Sequence, residues 1–104
     1  MKVTVRYFGR LRELLATKKE EYELPEETSL MDLLVKVIPE RHKEVSETWI
    51  KTIFRTVKNE ILENKNGKPI LKDYQILIGG RSFSLDYTLK DGDEVAVLPP
   101  FGGG

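Results

Sequence analysis

The residues best suited to chemistry are the last six, Pro99-Pro100-Phe101-Gly102-Gly103-Gly104. The three glycines carry no Cβ, so they can thread a narrow channel and present an unhindered carbonyl. The group they offer is the α-carboxylate of Gly104. A carboxylate is a poor electrophile, because its charge is delocalised and oxide is a bad leaving group. Chemistry at Gly104 therefore implies activation by another protein, as an acyl-adenylate formed with ATP. At ~3.3 Å per residue, residues 99–104 reach roughly 20 Å, enough to enter a partner's active site. Pro99 and Pro100 fix φ and favour an extended course, and Phe101 is placed to anchor in a partner pocket. The plain alternative is a disordered glycine end. Ordering such residues costs on the order of 1–2 kcal/mol each, which only a partner would recover.

Other candidate groups are weaker. There is no Cys among the 104 residues, which excludes disulfides, thiolate metal sites and a cysteine nucleophile. His42 is the single histidine and its neighbours Glu40 and Glu44 read as a solvated helix start, so no metal site and no Ser/His/Asp constellation is expected. Gly79-Gly80-Arg81 lacks the following helix of a phosphate loop and suits a hairpin instead. Lys18 to Glu21 read as a solvated turn, and Trp49 and Phe54 as packing residues.

Lys+Arg and Asp+Glu balance at 17 each, so no basic field points to nucleic acid or an anionic membrane. The most apolar stretch, LMDLLVKVI, carries Asp32 and Lys36, so no membrane span is expected. The start, MKVTVRYF, has no signal-peptide h-region, and a cytoplasmic protein is expected.

These groups need a scaffold, and the length and 39% hydrophobic content allow one domain, expected over residues 1–98, with a flexible tail at 99–104. Val3, Val5 and Tyr7 alternate with Thr4, Arg6 and Phe8, which predicts a half-buried strand. Gly9 punctuates it, RLRELLA supplies a short helix, and EEYELP a second strand. Ser29 and Asp32 suggest a capping box. Leu30, Leu33, Leu34, Val37 and Ile38 then follow the spacing of an amphipathic helix that Pro39 ends or bends. A further helical segment is expected near 45–64, with Ile50, Ile53, Phe54, Val57 and Ile61 on one stripe. Tyr74–Ile78, RSFSL and EVAVL read as strands. Val3, Val5, Tyr7, Leu30, Leu33, Leu34, Val37, Val95 and Val97 are the expected core. The order β, short α, β, long α, then strands, is an α+β layer architecture with one sheet face covered by helices.

VTVRYFGRLRELL at the start and LKDGDEVAVLPPFGGG at the end together resemble the small sulfur-carrier subunit of molybdopterin synthase, in the ubiquitin-like β-grasp family. The segment near 45–64 is longer than in compact members, and three glycines stand where two are usual. The resemblance implies a mixed sheet with the last strand parallel to the first, which brings Phe8 and Leu98 to one end. There they would dock a partner, along with Pro99, Pro100, Phe101 and Gly102; loop cover or scattered surface apolars are the bland alternatives. It also implies that Gly104, with Gly103 behind it, is adenylated and then thiocarboxylated, Gly103 being the reactive end if the chain is trimmed. The expected partners are a ubiquitin-activating-type adenylyltransferase, which uses the ATP, and the molybdopterin synthase large subunit. No tightly bound cofactor is expected. A protein modifier, joined to lysines through the same glycine, and a plain binding module remain alternatives.

Overall fold

The computed structural model describes residues 1–100; Phe101, Gly102, Gly103 and Gly104, and the expectations that fall on them, lie outside the described residues. Five strands form the main sheet: β1 (Lys2–Tyr7), β2 (Lys19–Glu23), β5 (Gln75–Ile78), β6 (Arg81–Ser82) and β7 (Glu94–Leu98). They lie in the order β2-β1-β7-β5-β6. The central pair, β1 and β7, is parallel, with Val5 opposite Val95 and Tyr7 opposite Val97, and the other pairings are antiparallel.

Alternation along these strands drives Val3, Val5, Tyr7, Val95 and Val97 to one face, where each has no exposed surface. The β5–β6 hairpin turns at Gly79 and Gly80, both at positive φ, as the two-residue loop requires. Helix α1 (Arg10–Leu15) buries Leu11 and Leu15 against this face.

The covering helix begins at Ser29 with the expected capping box. Ser29 Oγ accepts from the Asp32 amide, and the Asp32 carboxylate accepts from the Ser29 amide. It runs as α2 (Leu30–Asp32), a π-helical turn (Leu33–Val37) and α3 (Ile38–Arg41). Pro39 therefore neither ends the helix nor starts a loop. The wider turn sends the Ile38 amide to the Leu33 carbonyl, and Pro39 has no amide to offer Leu34. Leu30, Leu33, Leu34 and Ile38 are fully buried. Val37 is a correction to the expected core: the π turn holds an extra residue, which rotates Val37 off the buried stripe to a half-buried edge.

The expected helical segment near 45–64 is also corrected. Helix α4 covers Ser46–Ile53 only, after a short 3₁₀ turn at Lys43–Val45. Phe54 is extended, and β3 (Thr56–Val57) folds back on β4 (Glu60–Ile61) through Lys58 and Asn59, both at positive φ. Isolated bridges Glu63↔Pro69 and Phe54↔Leu71 continue the meander. The β-branched pair Thr56 and Val57 favours strand over helix, and Asn59 tolerates the left-handed turn. Phe54 and Ile53 remain in the core, whereas Val57 is 54% exposed.

Candidate functional site

Because β1 and β7 run parallel, the chain leaves both strands at the same end of the sheet, through Phe8-Gly9 and Leu98-Pro99. The last register pair is Tyr7 with Val97, one step before Phe8 and Leu98. Leu98 pairs on its other side with Gln75 of β5. Pro99 and Pro100 are half-buried, so the root of the C-terminal segment is packed on the domain.

Leu98 and Ala96 alternate with the buried Val97 and Val95, so they point to the open face of the sheet. Leu77 lies opposite Ala96 on that face and is likewise half-buried. Arg6 and Glu94 pair at 3.1 Å and, by the same alternation, lie on that face too. Phe8 is half-buried, with the Arg12 guanidinium 5.1 Å from its ring centroid. That arginine is held by a 2.8 Å hydrogen bond from Nε to the Tyr7 carbonyl. Phe8 is therefore neither swallowed by a loop nor fully open: one cation screens it, and such a contact is worth about 0.5–1 kcal/mol at an exposed site.

Beside the root lies a groove of about 700 Å³, walled by Arg10, Lys51, Lys72, Tyr74, Pro99 and Pro100 among others. Burial pushes the Tyr74 phenol up, and the positive charge of Arg10 partly opposes this. Lys51 is tied to Glu47 at 2.9 Å. Sequence patterns gave no sign of this groove, since its residues come from four separated stretches.

A polar cluster was also missed. Glu20, read as part of a solvated turn, lies in β2 with its side chain 11% exposed. Its Oε1 accepts from the Tyr7 and Tyr22 hydroxyls at 2.9 and 2.8 Å and meets His42 Nε2 at 2.8 Å. Burial pushes both phenols far up, and the nearby Glu20 charge adds to the shift. Alternation within β2 puts Glu20 on the same face as the inward Tyr22, a local signal that the solvated-turn reading passed over. Its partner His42 lies too far along the chain for any local pattern to show. His42 is thus a structural partner of Glu20. Among the described residues no group of three or more His, Asp or Glu is arranged to hold a metal, and no helix is long and apolar enough to cross a membrane.

The parallel central pair, the antiparallel flanking strands and the helix packed across one face define a ubiquitin-like β-grasp protein. The chain belongs to the ThiS family, whose model matches residues 5–104. A solved protein of Pyrococcus furiosus, described as molybdopterin converting factor, subunit 1, is 35% identical with a TM-score of 0.67, over 96% of this chain and 98% of that one. The molybdopterin synthase sulfur carrier subunit of Drosophila yakuba is 29% identical over 98% of this chain and 90% of its own length. Small archaeal modifier protein 1 of Methanosarcina acetivorans is 26% identical with a TM-score of 0.69, over 99% of this chain and 96% of that one.

Proposed function

We propose that this chain is a sulfur carrier for the biosynthesis of a molybdopterin-type cofactor, with Gly104 as the residue that bears the sulfur. The observation that carries this role is the family match, which runs from β1 through the glycine segment to residue 104. The names of the Pyrococcus and Drosophila relatives point the same way. In the first step the Gly104 carboxylate attacks the α-phosphate of ATP on an adenylyltransferase, releasing pyrophosphate. A sulfur nucleophile at the sulfide level then displaces AMP and leaves a thiocarboxylate. A large synthase subunit would take that sulfur after docking on the open face around Phe8 and Leu98, with Pro99, Pro100, Phe101 and Gly102 leading Gly104 inward. The carrier performs no acid-base step of its own.

The test is incubation with an adenylyltransferase, ATP and a sulfur donor, followed by intact mass. A mass gain of one oxygen-to-sulfur exchange supports the role. An added residue after Gly104 should abolish it without changing thermal stability, since that position lies beyond the last strand. Equal sulfuration of the extended chain, without trimming, would sink the proposal. The Methanosarcina modifier supports a second reading, in which the same activated glycine acylates lysine amines. Lysine-linked glycine remnants on cellular proteins would establish it.

A further inference from the structure

Building on the carrier role proposed above, we propose that Gly9 is a positioning residue for the C-terminal segment: it is the seat for Pro99 and fixes the line along which the chain leaves the sheet. Gly9 has φ 63° and ψ −136°, a conformation that residues with a Cβ avoid. Its carbonyl accepts from the Arg12 amide at 3.1 Å, and the Phe8 carbonyl from the Leu11 amide at 3.3 Å. Those bonds start α1, whose Leu11 is fully buried, so the backbone at Gly9 is anchored from below.

A Cβ at Gly9 would lie 3.2 Å from Pro99 Cγ and 3.7 Å from its Cβ. The obstructing atom belongs to a ring with fixed φ, so it yields only by repuckering or by a shift of the Pro99 backbone, not by free rotation as a flexible side chain would. The other positive-φ glycines differ. Gly67, Gly79, Gly80 and Gly92 would each meet nothing within 4 Å, so their glycine serves the turn alone. At Gly9 the missing side chain makes room for another residue, some ninety positions later in the chain.

The root matters because the direction in which Pro100 and all that follows it leave the sheet is set there. Reacting groups tolerate misplacement of only about 1 Å before rates fall about a hundredfold. The seat therefore favours productive entry of the tail into a partner before any partner contact forms.

The experiment compares Gly9→Ala with Gly92→Ala, another glycine at positive φ but with open space at its Cβ. Sulfuration kinetics should show kcat/KM falling about tenfold or more for Gly9→Ala and staying within about twofold for Gly92→Ala. Adding Pro99→Ala to Gly9→Ala removes the colliding ring atom and should recover most of the loss, measured against Pro99→Ala alone. Equal losses in the two glycine variants, or no recovery in the double variant, would overturn the positioning role. A second readout needs no chemistry. With no native cysteine, spin labels on Glu21→Cys and Gly104→Cys report the distance from sheet to tail. That distance should shift in Gly9→Ala and hold in Gly92→Ala; an unchanged distribution in Gly9→Ala overturns the seat. Should Gly9→Ala fail to fold, Pro99→Ala alone should broaden the distribution, and an unchanged one counts against the seat. Wild type that is never sulfurated would instead remove the carrier role and leave the distance test standing.

Discussion

The indole N–H of Trp49 donates to the carbonyl of Leu34 at 2.8 Å, joining α4 to the π turn of the covering helix. Leu34 needs this donor. The π turn has diverted the Ile38 amide to Leu33, and Pro39 brings no amide of its own. Trp49 also meets Tyr7 edge to face, with ring centroids 5.9 Å apart. One aromatic side chain therefore satisfies an orphan carbonyl and packs on β1.

Trp49→Phe should keep much of the packing and remove the donor. A buried carbonyl left without a partner costs about 1–3 kcal/mol, so urea unfolding should show a loss of that size. A variant as stable as wild type would mean that Leu34 finds another donor.

Replacing Leu33 by Ala should cost roughly 2–5 kcal/mol, because the side chain is fully buried beneath the sheet. Val37→Ala should cost clearly less, since Val37 lies half-exposed at the edge of the core. Equal losses at the two positions would contradict the helix phase set by the π turn. Chemical denaturation of both variants decides it.

Acid should weaken the fold through Glu20. Burial opposes its charge, but hydrogen bonds from His42, Tyr22 and Tyr7 outweigh that and hold its carboxyl below the ordinary value of 4.5. With the folded pKa depressed, the stabilisation is fully present above the unfolded value and is lost as pH falls through the folded one. Glu20→Gln should therefore lower stability near neutrality and flatten the decline seen below about pH 4.5. Denaturant midpoints measured across that range check the slope.

Phe8→Ala should weaken binding to a large synthase subunit while leaving thermal unfolding nearly unchanged. An interface aromatic commonly carries more than about 1 kcal/mol, so affinity should fall at least fivefold in calorimetric titration. Unchanged affinity would remove Phe8 from the docking surface, and collapse of the fold would show its role to be structural.

Much of this was legible in short-range pattern. Val3, Val5, Tyr7, Val95 and Val97 announced their strands by alternation, and Ser29 with Asp32 announced a helix start. The stretch after Ile53 misled because Ile50, Ile53, Phe54, Val57 and Ile61 fit helical spacing, while Thr56 and Val57 favour strand and Asn59 the turn between β3 and β4. Sequence separation hid the rest. Glu20 with His42, Trp49 with Leu34 and Gly9 with Pro99 meet only after the chain has folded, and no local period encodes such meetings.

The parallel pairing of β1 with β7 also imposes an order in time. Thr4 finds its register partner at Glu94, so a ribosome must add ninety residues after Thr4 before the pair can form. At roughly 5–20 residues per second, β1 waits on the order of 5–20 s for its central neighbour. Until then it has only β2 beside it, and one edge of what will be the middle of the sheet is open. Pro99 can settle on Gly9 only once β7 has closed that gap. A nascent chain thus has no finished seat for Pro99 until its final strand is in place.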